Sequence, residues 1–296
     1  MDIPYRRIFV VINPASGKNE PVLNIINQVF GHHGVEWEIG VTHAYGDATR
    51  LAQEAAAAGY DLVAGYGGDG TQHEIANGLL GRGEVGNPTP MGVLPGGTGN
   101  GFARELGVSK RLEEALETLC TSARQRQIDV GLIGNQFFIQ RLYAGAIEPE
   151  DQTSREMKDK YGNLAYLISG FERVKHLENI PFRITLDGQV VEKEGVKCYV
   201  VNSGQTGTGL AIDANFAVDD GYLDVFLLAK DLEATMAAAE RFFNLKAQLA
   251  GRYYWRAREI TIEPAEDKAV WVDGEYYGRT PASISIRAGA LRVAVP

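Results

Sequence analysis

Residues 60–80, with the sequence YDLVAGYGGDGTQHEIANGLL, decide the fold, because a strand, a glycine-rich loop and a helix follow one another directly. Residues 61–65 form a short, mostly apolar run, which is typical of a buried parallel strand. From Thr71 onward the apolar residues recur at helical spacing, at Ile75, Ala76, Leu79 and Leu80. The stretch therefore predicts a strand, a loop and a helix in that order.

The loop between this strand and helix contains Gly67, Gly68, Asp69, Gly70 and Thr71. Glycines tolerate positive φ and let a ligand approach the bare backbone. The loop amides and the start of the next helix form a natural seat for phosphate. Asp69 would place a carboxylate where a metal-nucleotide lies. Taken alone, the loop also fits a tight turn without a ligand.

Two further strands of the first half are followed by polar loops that contain glycine. Residues 8–12 lead into NPASGK at 13–18, and residues 91–94 lead into PGGTGNG at 95–101. Strands that alternate with helices indicate a parallel sheet flanked by helices. Ligands of such sheets lie beyond the carboxyl ends of the strands. We therefore expect the three loops to converge on one nucleotide-binding crevice.

The pattern changes near residue 127, after which short strands dominate. Strands are predicted at 128–133 and 136–143, with turns at Gly134-Asn135 and Asp187-Gly188. Helices are predicted over 164–174 and 232–249. Mostly antiparallel strands with few helices favour a β-sandwich. We predict an α/β nucleotide-binding domain over residues 1–127 and a mainly antiparallel β-sandwich domain for the acceptor over 128–296.

Composition limits the classes of function. The net charge is −9 and no basic block is present, which argues against nucleic-acid binding. Cys120 and Cys198 lack metal-ligand spacing and fit free thiols in a reducing cytosol. With no leader and no run of roughly 20 apolar residues, the expectation is a cytoplasmic protein with peripheral membrane contact at most. An exposed strand edge could pair two copies into a homodimer.

In combination, these motifs resemble the diacylglycerol kinase catalytic-domain family, which includes bacterial lipid kinases and the sphingosine kinases. The matching segments, in family order, are NPASG at 13–17, GGDGT at 67–71 with Glu74 and NGL at 77–79, LPGGTGN at 94–100 with FAR at 102–104, DVG at 129–131, DG at 220–221 with LDV at 223–225, and VDGE at 272–275. The GDGT motif alone is shared with NAD kinases and phosphofructokinases. The full set is much more specific and covers nearly the whole chain.

The resemblance implies an enzyme that transfers the γ-phosphoryl group of ATP, with Mg²⁺, to a lipid hydroxyl in the cleft between two domains. Residues implied in nucleotide binding are Asn13, Pro14, Ser16, Gly17, Gly67, Gly68, Gly70, Thr71, Glu74, Gly97, Thr98, Gly99 and Asn100. Those implied near metal are Asp69, Asp129, Asp219 and Asp220. Asp273 would be the general base, supported by Glu275, and Asp69 would also act in catalysis. Without the resemblance, Asp273-Gly274 also fits a plain hairpin turn.

The chain departs from the family pattern at several positions. Gly101 replaces an aspartate of many members, Glu148 stands near a position where an aspartate is usual, and Ala217 offers no ligand beside Asp219-Asp220. The acceptor therefore stays open. The alternatives are a kinase of the same fold acting on a soluble hydroxyl compound such as NAD, and a catalytically silent nucleotide-binding regulatory protein.

Overall fold

The computed structural model describes residues 3–16, 20–81, 89–145, 178–204, 217–228 and 254–296. The chain forms two compact units. Unit 1 comprises residues 1–139, 218–221 and 287–296, and unit 2 comprises residues 140–217 and 222–286. The chain therefore leaves unit 1 after Ile139 and returns to it twice.

Unit 1 alternates strands and helices in its first part. Its elements are β1 (Arg7–Ile12), α1 (Val22–His33), β2 (Glu36–Val41), α2 (Asp47–Ala57), β3 (Leu62–Gly67), α3 (Asp69–Leu80), β4 (Met91–Pro95), α4 (Gly101–Glu105), α5 (Leu112–Thr121), β5 (Gln125–Ile133) and β6 (Gln136–Phe138). Strands β1 to β4 are parallel, in the spatial order β2-β1-β3-β4. The end of β16 (Ala282–Ala294) joins β4 in parallel, and β5 pairs with β16 and with β6. The predicted α/β domain is confirmed.

The core of unit 1 follows from the quoted stretch. Every residue of β3 is buried, as expected for a central strand covered on both faces. Helix α3 packs on α2 at Gly78, where an added Cβ would lie 2.4 Å from the carbonyl oxygen of Thr49. A larger residue there would push the two helices apart, so glycine is required at this contact.

The described residues of unit 2 form two antiparallel sheets, which confirms the predicted β-sandwich. Its strands are β7 (Arg141–Gly145), β8 (Ile180–Leu186), β9 (Gln189–Gly195), β10 (Lys197–Val201), β11 (Leu223–Leu228), β12 (Tyr254–Ala257), β13 (Glu259–Pro264), β14 (Ala269–Val272), β15 (Glu275–Arg279) and the start of β16. One sheet has the order β16-β13-β8-β9 and the other β12-β11-β10-β7-β14-β15. In the second sheet, alternate residues such as Leu142, Cys198 and Val225 are buried in the core.

The strand predicted over 136–143 is wrong, because this stretch forms two strands that belong to different units. β6 pairs with β5 of unit 1, and the amide of Asn77 on α3 also binds it. Its Nδ2 donates to the carbonyl of Phe137 at 3.0 Å, and its Oδ1 accepts the Phe137 N–H at 2.9 Å. This pair holds β6 in unit 1, while β7 begins unit 2. The compact units thus divide after residue 139, twelve residues beyond the boundary expected from composition.

Other expectations have mixed outcomes. The turns at Gly134-Asn135 and Asp187-Gly188 are present, and Cys120 and Cys198 are buried free thiols. The helices predicted over 164–174 and 232–249 lie outside the described residues. Within the part of the chain that the structure describes, no helix has the length and apolarity needed to cross a membrane.

Candidate functional site

The loop after β1 is held in place by the side chain of Asn13. Its Nδ2 donates to Oγ1 of Thr71 at 3.0 Å, and its Oδ1 accepts the N–H of Ala15 at 3.0 Å. The backbone N–H of Asn13 donates to the carbonyl of Tyr66 at 3.0 Å. The Ser16 hydroxyl donates to the Asn13 carbonyl at 2.7 Å. These bonds join the loop after β1 to β3 and to the first turn of α3, which begins at Asp69 and not at the predicted Thr71. Pro14 is exposed, and Gly17 lies outside the described residues.

The loops after β3 and β4 touch through their backbones. The N–H of Gly96 donates to the carbonyl of Gly67 at 2.9 Å. An added Cβ at Gly97 would lie 2.5 Å from the Cα of Gly68, and one at Gly67 would lie 2.4 Å from Oγ1 of Thr71. Both distances are shorter than real Cβ contacts. The glycines at 67 and 97 are therefore required by loop packing, whether or not a ligand binds.

Asn100 closes the loop after β4 upon itself. It is buried and adopts the left-handed conformation, with φ of 52°. Its Oδ1 accepts the Gly97 N–H at 3.0 Å, and its Nδ2 donates to the Gly97 carbonyl at 2.5 Å. The guanidinium of Arg104 donates to the carbonyl of Gly99. Thr98 is left exposed at the tip of the loop, so its hydroxyl is accessible.

Asp69 caps the short helix α4. Its Oδ2 accepts the N–H of Gly101 at 3.0 Å, and its Oδ1 accepts the N–H of Phe102 at 3.0 Å. A carboxylate at the start of a helix satisfies amides that have no partner within the helix. The sequence predicted a metal or catalytic role for Asp69 and did not reveal this contact. The metal and catalytic roles stay predictions.

The carboxylate of Glu74 binds the start of helix α2. Its Oε2 accepts the N–H of Gly46 at 2.8 Å and that of Ala48 at 3.2 Å. Burial raises the pKa of Glu74, and the backbone hydrogen bonds act in the opposite direction. The hydrogen bonds of this side chain explain how α3 positions α2. The predicted contact with nucleotide stays untested.

Asp129 anchors two later segments of the chain to unit 1. The side chain is buried, with only 2% of its surface exposed. Its Oδ2 accepts the N–H of Gly221 at 2.6 Å, and its Oδ1 accepts the N–H of Gly289 at 2.7 Å. The backbone N–H of Asp129 donates to the carbonyl of Val218 at 2.6 Å. One residue of β5 thus fixes both returns of the chain to unit 1.

The other predicted metal ligands have different surroundings. Asp219 forms a bidentate pair with Arg126, with N···O distances of 2.7 and 2.8 Å, and this pair lowers the pKa of Asp219. Asp220 is exposed. Among the described residues, no group of three or more His, Cys, Asp or Glu side chains is arranged to hold a metal ion. The metal roles of Asp69, Asp129, Asp219 and Asp220 stay predictions.

Asp273 occupies the hairpin turn between β14 and β15. Asp273 and Gly274 both have positive φ, 47° and 97°, as the favoured two-residue hairpin turns require. The Oδ1 of Asp273 accepts the N–H groups of Gln140 and Arg141, at 3.0 and 2.8 Å. Its own N–H donates to the Arg141 carbonyl at 2.8 Å. Glu275, at the start of β15, is exposed.

The Asp187-Gly188 turn between β8 and β9 uses the same contacts. Asp187 has φ of 47°, and its Oδ1 accepts the N–H groups of Arg258 and Glu259 at 2.9 and 2.8 Å. Its N–H donates to the Glu259 carbonyl at 2.9 Å. Each aspartate thus fastens its hairpin to the start of a neighbouring strand. The geometry of Asp273 has a structural explanation, and its role as a base stays a prediction.

Lys197 and Arg141 of unit 2 are two cations that the sequence motifs did not single out. Lys197 is buried, and its ammonium nitrogen lies 3.7 Å from the ring centroid of Tyr143. The available signal was a lysine within the apolar strand VKCYVV at 196–201. Without knowledge of the strand register, that lysine could not be placed beside Arg141.

The comparisons with known proteins agree with this architecture. Residues 7–133 match the diacylglycerol kinase catalytic domain, and residues 141–295 match the YegS C-terminal NAD kinase beta sandwich-like domain. A diacylglycerol kinase of Staphylococcus aureus is 30% identical over 94% of this chain and 89% of its own length. One of Bacillus subtilis is 29% identical over 98% of this chain and 97% of its own length.

Solved structures extend the likeness to three dimensions. The structure of a diacylglycerol kinase from Bacillus anthracis superposes with a TM-score of 0.81 at 28% identity, covering 99% of this chain and 98% of that chain. The fold and the glycine-bearing loops define a kinase of the two-domain α/β and β-sandwich class. The chain belongs to the diacylglycerol kinase catalytic-domain family.

Proposed function

We propose that the protein transfers the γ-phosphoryl group of ATP to the hydroxyl group of a lipid such as diacylglycerol. The observation that carries this proposal is that the loops after β1 and β4 are bonded to the end of β3 and the start of α3, so the carboxyl ends of β1, β3 and β4 lie together. Asn13 binds Thr71, and Gly96 binds Gly67. Phosphates bind at such strand ends in open α/β sheets.

The residues present fit nucleotide and magnesium in chemical type. The N–H groups of Gly96 and Gly97 donate within the loops, so the phosphates would be met by the N–H groups at the start of α3, which begins at Asp69. Each oxygen of Asp69 accepts one N–H, and a carboxylate oxygen has lone pairs for more than one contact. Asp69 would therefore hold hydrated Mg²⁺ beside the phosphates. When bound, Mg²⁺ would neutralise the charge that develops on the transferred group.

The reaction asks little covalent chemistry of the protein. The acceptor oxygen bonds to the γ-phosphorus as the bond from the γ-phosphorus to the bridging oxygen breaks, and ADP leaves. Asp273 would take the proton of the acceptor hydroxyl, a role that contributes on the order of 100-fold to 10,000-fold. Glu275 would support Asp273. The names of the relatives support a lipid acceptor, so the protein would act at the cytoplasmic membrane surface.

The test is transfer of label from γ-labelled ATP to lipids in mixed micelles, with and without Mg²⁺. The panel contains diacylglycerol, phosphatidylglycerol and a sphingoid base, with NAD and glycerol as soluble acceptors. Magnesium-dependent label in a lipid is the expected result. Label in NAD or glycerol alone would establish the soluble-acceptor alternative. ATP binding without any transfer would establish the silent nucleotide-binding protein.

A further inference from the structure

Lys197 is a buried cation that has no acidic partner among the residues that the structure describes. Only 6% of its surface is exposed, and its ammonium lies 3.7 Å from the ring centroid of Tyr143 and 5.0 Å from that of Tyr199. Among the described residues, no carboxylate forms an ion pair with it. A buried charge without a counter-charge is costly, so its retention needs a reason.

Arg141 adds a second positive charge to the same face of the six-stranded sheet. Arg141 and Tyr143 alternate with buried Leu142 on β7, and the register places Tyr199 opposite Tyr143 and Lys197 opposite Gly145. Side chains two residues apart share a face of a strand. The ammonium of Lys197 lies over the ring of Tyr143. On β7, Tyr143 stands between Gly145, which faces Lys197 across the sheet, and Arg141. Arg141 also has no ion-pair partner within the described ranges.

The tyrosines complete a set of donors. Burial raises the pKa of Tyr199 to about 12 and raises that of Tyr143, so both hydroxyl groups keep their protons at neutral pH. Among the described residues neither hydroxyl has a hydrogen-bond partner. An ammonium, a guanidinium and two phenol hydroxyls supply donors and no carboxylate, which matches the needs of an oxyanion.

A neighbouring charge on this sheet is treated differently. Asp224 of β11 is buried, and it accepts a hydrogen bond from the Tyr254 hydroxyl at 2.5 Å and pairs with Arg256 at 3.4 Å. The buried charge of Asp224 is therefore neutralised by a cation on the neighbouring strand. The carboxylate of Asp273 lies near Arg141. It accepts a hydrogen bond from the backbone N–H of Arg141 at 2.8 Å.

We propose that Lys197 and Arg141, with Tyr143 and Tyr199, form a binding site for a phosphate-type oxyanion. The oxyanion would come from an anionic phospholipid headgroup or from a soluble phosphate, and both present the same chemistry to these donors. The site stands apart from the phosphoryl-transfer proposal, because it binds the anion in the absence of ATP. The contrasting explanation is that the lysine only packs on the two aromatic rings.

Thermal unfolding of the full chain distinguishes these explanations. Lys197→Met keeps much of the apolar stem and removes the charge, and Lys193→Met on the exposed edge of β9 is the matched control. Below pH 7 and without added anion, Lys197→Met should raise Tm, because a buried charge is lost. A packing lysine predicts the opposite, a lower Tm. Lys193→Met should leave Tm unchanged.

Ligand binding is then measured as the rise in Tm at constant ionic strength, with chloride as the reference. The probes are inorganic phosphate and monomeric short-chain phosphatidylglycerol, with the short-chain zwitterionic phosphatidylcholine as the control. A rise of a few degrees in the wild type that is lost in Lys197→Met and in Arg141→Gln supports the site. A rise with phosphatidylglycerol alone identifies a lipid headgroup, and a rise with phosphate alone identifies a soluble source.

Two results would overturn the proposal. One is an equal rise in Tm for the wild type and both variants. The other is the absence of any rise with either probe. Arg141→Gln keeps the proposal falsifiable if Lys197→Met does not fold, since Arg141 is only partly buried and its loss leaves the sheet core intact.

Discussion

Asp273 and Asp187 make matching backbone contacts, although only Asp273 belongs to a motif of the kinase family. Each has φ of 47° and accepts two successive backbone N–H groups through Oδ1. A substitution at Asp187 therefore tests the structural role alone, and the same substitution at Asp273 tests the structural role and the proposed role as base. A comparison of the same substitution at both is sharper than either variant alone.

We predict that Asp273→Asn lowers kcat by about 100-fold or more, because the proton acceptor is lost. Asn retains a carbonyl oxygen for the two N–H groups and tolerates positive φ, so each variant should lose only about 1 kcal/mol of stability. Asp187→Asn should lose similar stability and keep its activity. Steady-state kinetics and chemical denaturation measure both. Equal losses of activity in Asp273→Asn and Asp187→Asn would show that Asp273 only stabilises its hairpin and is not the base.

Lys197 predicts a pH dependence of stability. Burial, together with the charge of Arg141, lowers its pKa from 10.5 to about 7. Below pH 10.5 the unfolded chain binds a proton that the folded chain does not bind until about pH 7. This residue therefore destabilises the fold fully below pH 7, and its penalty disappears as the pH rises to 10.5.

The free energy of unfolding of the wild type, minus that of Lys197→Met, should accordingly increase between pH 7 and pH 9.5. Each unit of pKa shift is worth about 1.4 kcal/mol, so the increase should reach a few kcal/mol. Urea denaturation at a series of pH values measures the difference, in which the titration of other groups cancels. A difference that stays flat with pH would show that Lys197 is charged throughout this range.

Individual side-chain roles were the least predictable part of the sequence. The motif placed Asp69 and Glu74 beside nucleotide, whereas their hydrogen bonds go to the starts of α4 and α2. Those partners lie about thirty residues away in each case, as the pairs Asp69–Gly101 and Gly46–Glu74 show. A motif records residue type and order, and it does not reveal which distant backbone amide a carboxylate will meet.

At the scale of the elements, helix α4 depends on a residue outside itself. Asp69 satisfies the first two N–H groups of this five-residue helix, which is too short to be stable alone. Asp69→Ala should therefore cost about 1 to 2 kcal/mol of stability, in addition to any loss of activity. Asp69→Asn should cost less, because one acceptor oxygen remains.

Asp47 supplies the matched control for Asp69. Its partly buried side chain also accepts two backbone N–H groups, those of His43 and Ala44, at 2.8 and 3.0 Å. Asp47→Asn should leave phosphoryl transfer unchanged. If Asp69→Ala is as stable as the wild type in urea, the cap does not stabilise α4.

The loop after β4 gives a second test at this scale. In Gly97→Ala the new methyl group would lie 2.5 Å from the Cα of Gly68, and backbone cannot move aside as a flexible side chain can. We expect lower stability and weaker ATP binding, measured by denaturation and by calorimetric titration. Gly70→Ala is the control for stability, because an added Cβ there meets nothing within 4 Å. Comparable losses of stability in both variants would contradict the packing explanation.

The elements themselves were largely predictable. The apolar run of β3 and the helical spacing in α3 are local signals, and the structure contains both. The stretch 136–143 predicts one strand because the polar residues Gln140 and Arg141 lie between apolar residues on both sides. β6 stays in unit 1 through its pairing with β5 and through Asn77, whose bonds to Phe137 span 60 residues of sequence. Periodicity carries no information about such contacts.

At the scale of the whole molecule, unit 1 is assembled from three separate parts of the chain. The carboxylate of Asp129 binds both later parts, because it accepts the N–H groups of Gly221 and Gly289. A buried carboxylate that accepts two amide hydrogens leaves both donors unsatisfied when it is removed. Such a loss costs about 1 to 3 kcal/mol for each buried group.

We therefore predict that Asp129→Ala lowers the free energy of unfolding by about 2 to 5 kcal/mol, more than any other aspartate substitution considered above. Hydrogen exchange should accelerate at the amides of Gly221 and Gly289, while the amides of β1 and β3 stay protected. Asp61→Ala is the control, because this exposed residue accepts the N–H groups of Arg6 and Arg7 within the first part of the chain. If exchange at Gly221 and Gly289 stays slow in Asp129→Ala, other contacts hold the later parts, and Asp129 would be available for the metal network that the family resemblance implies.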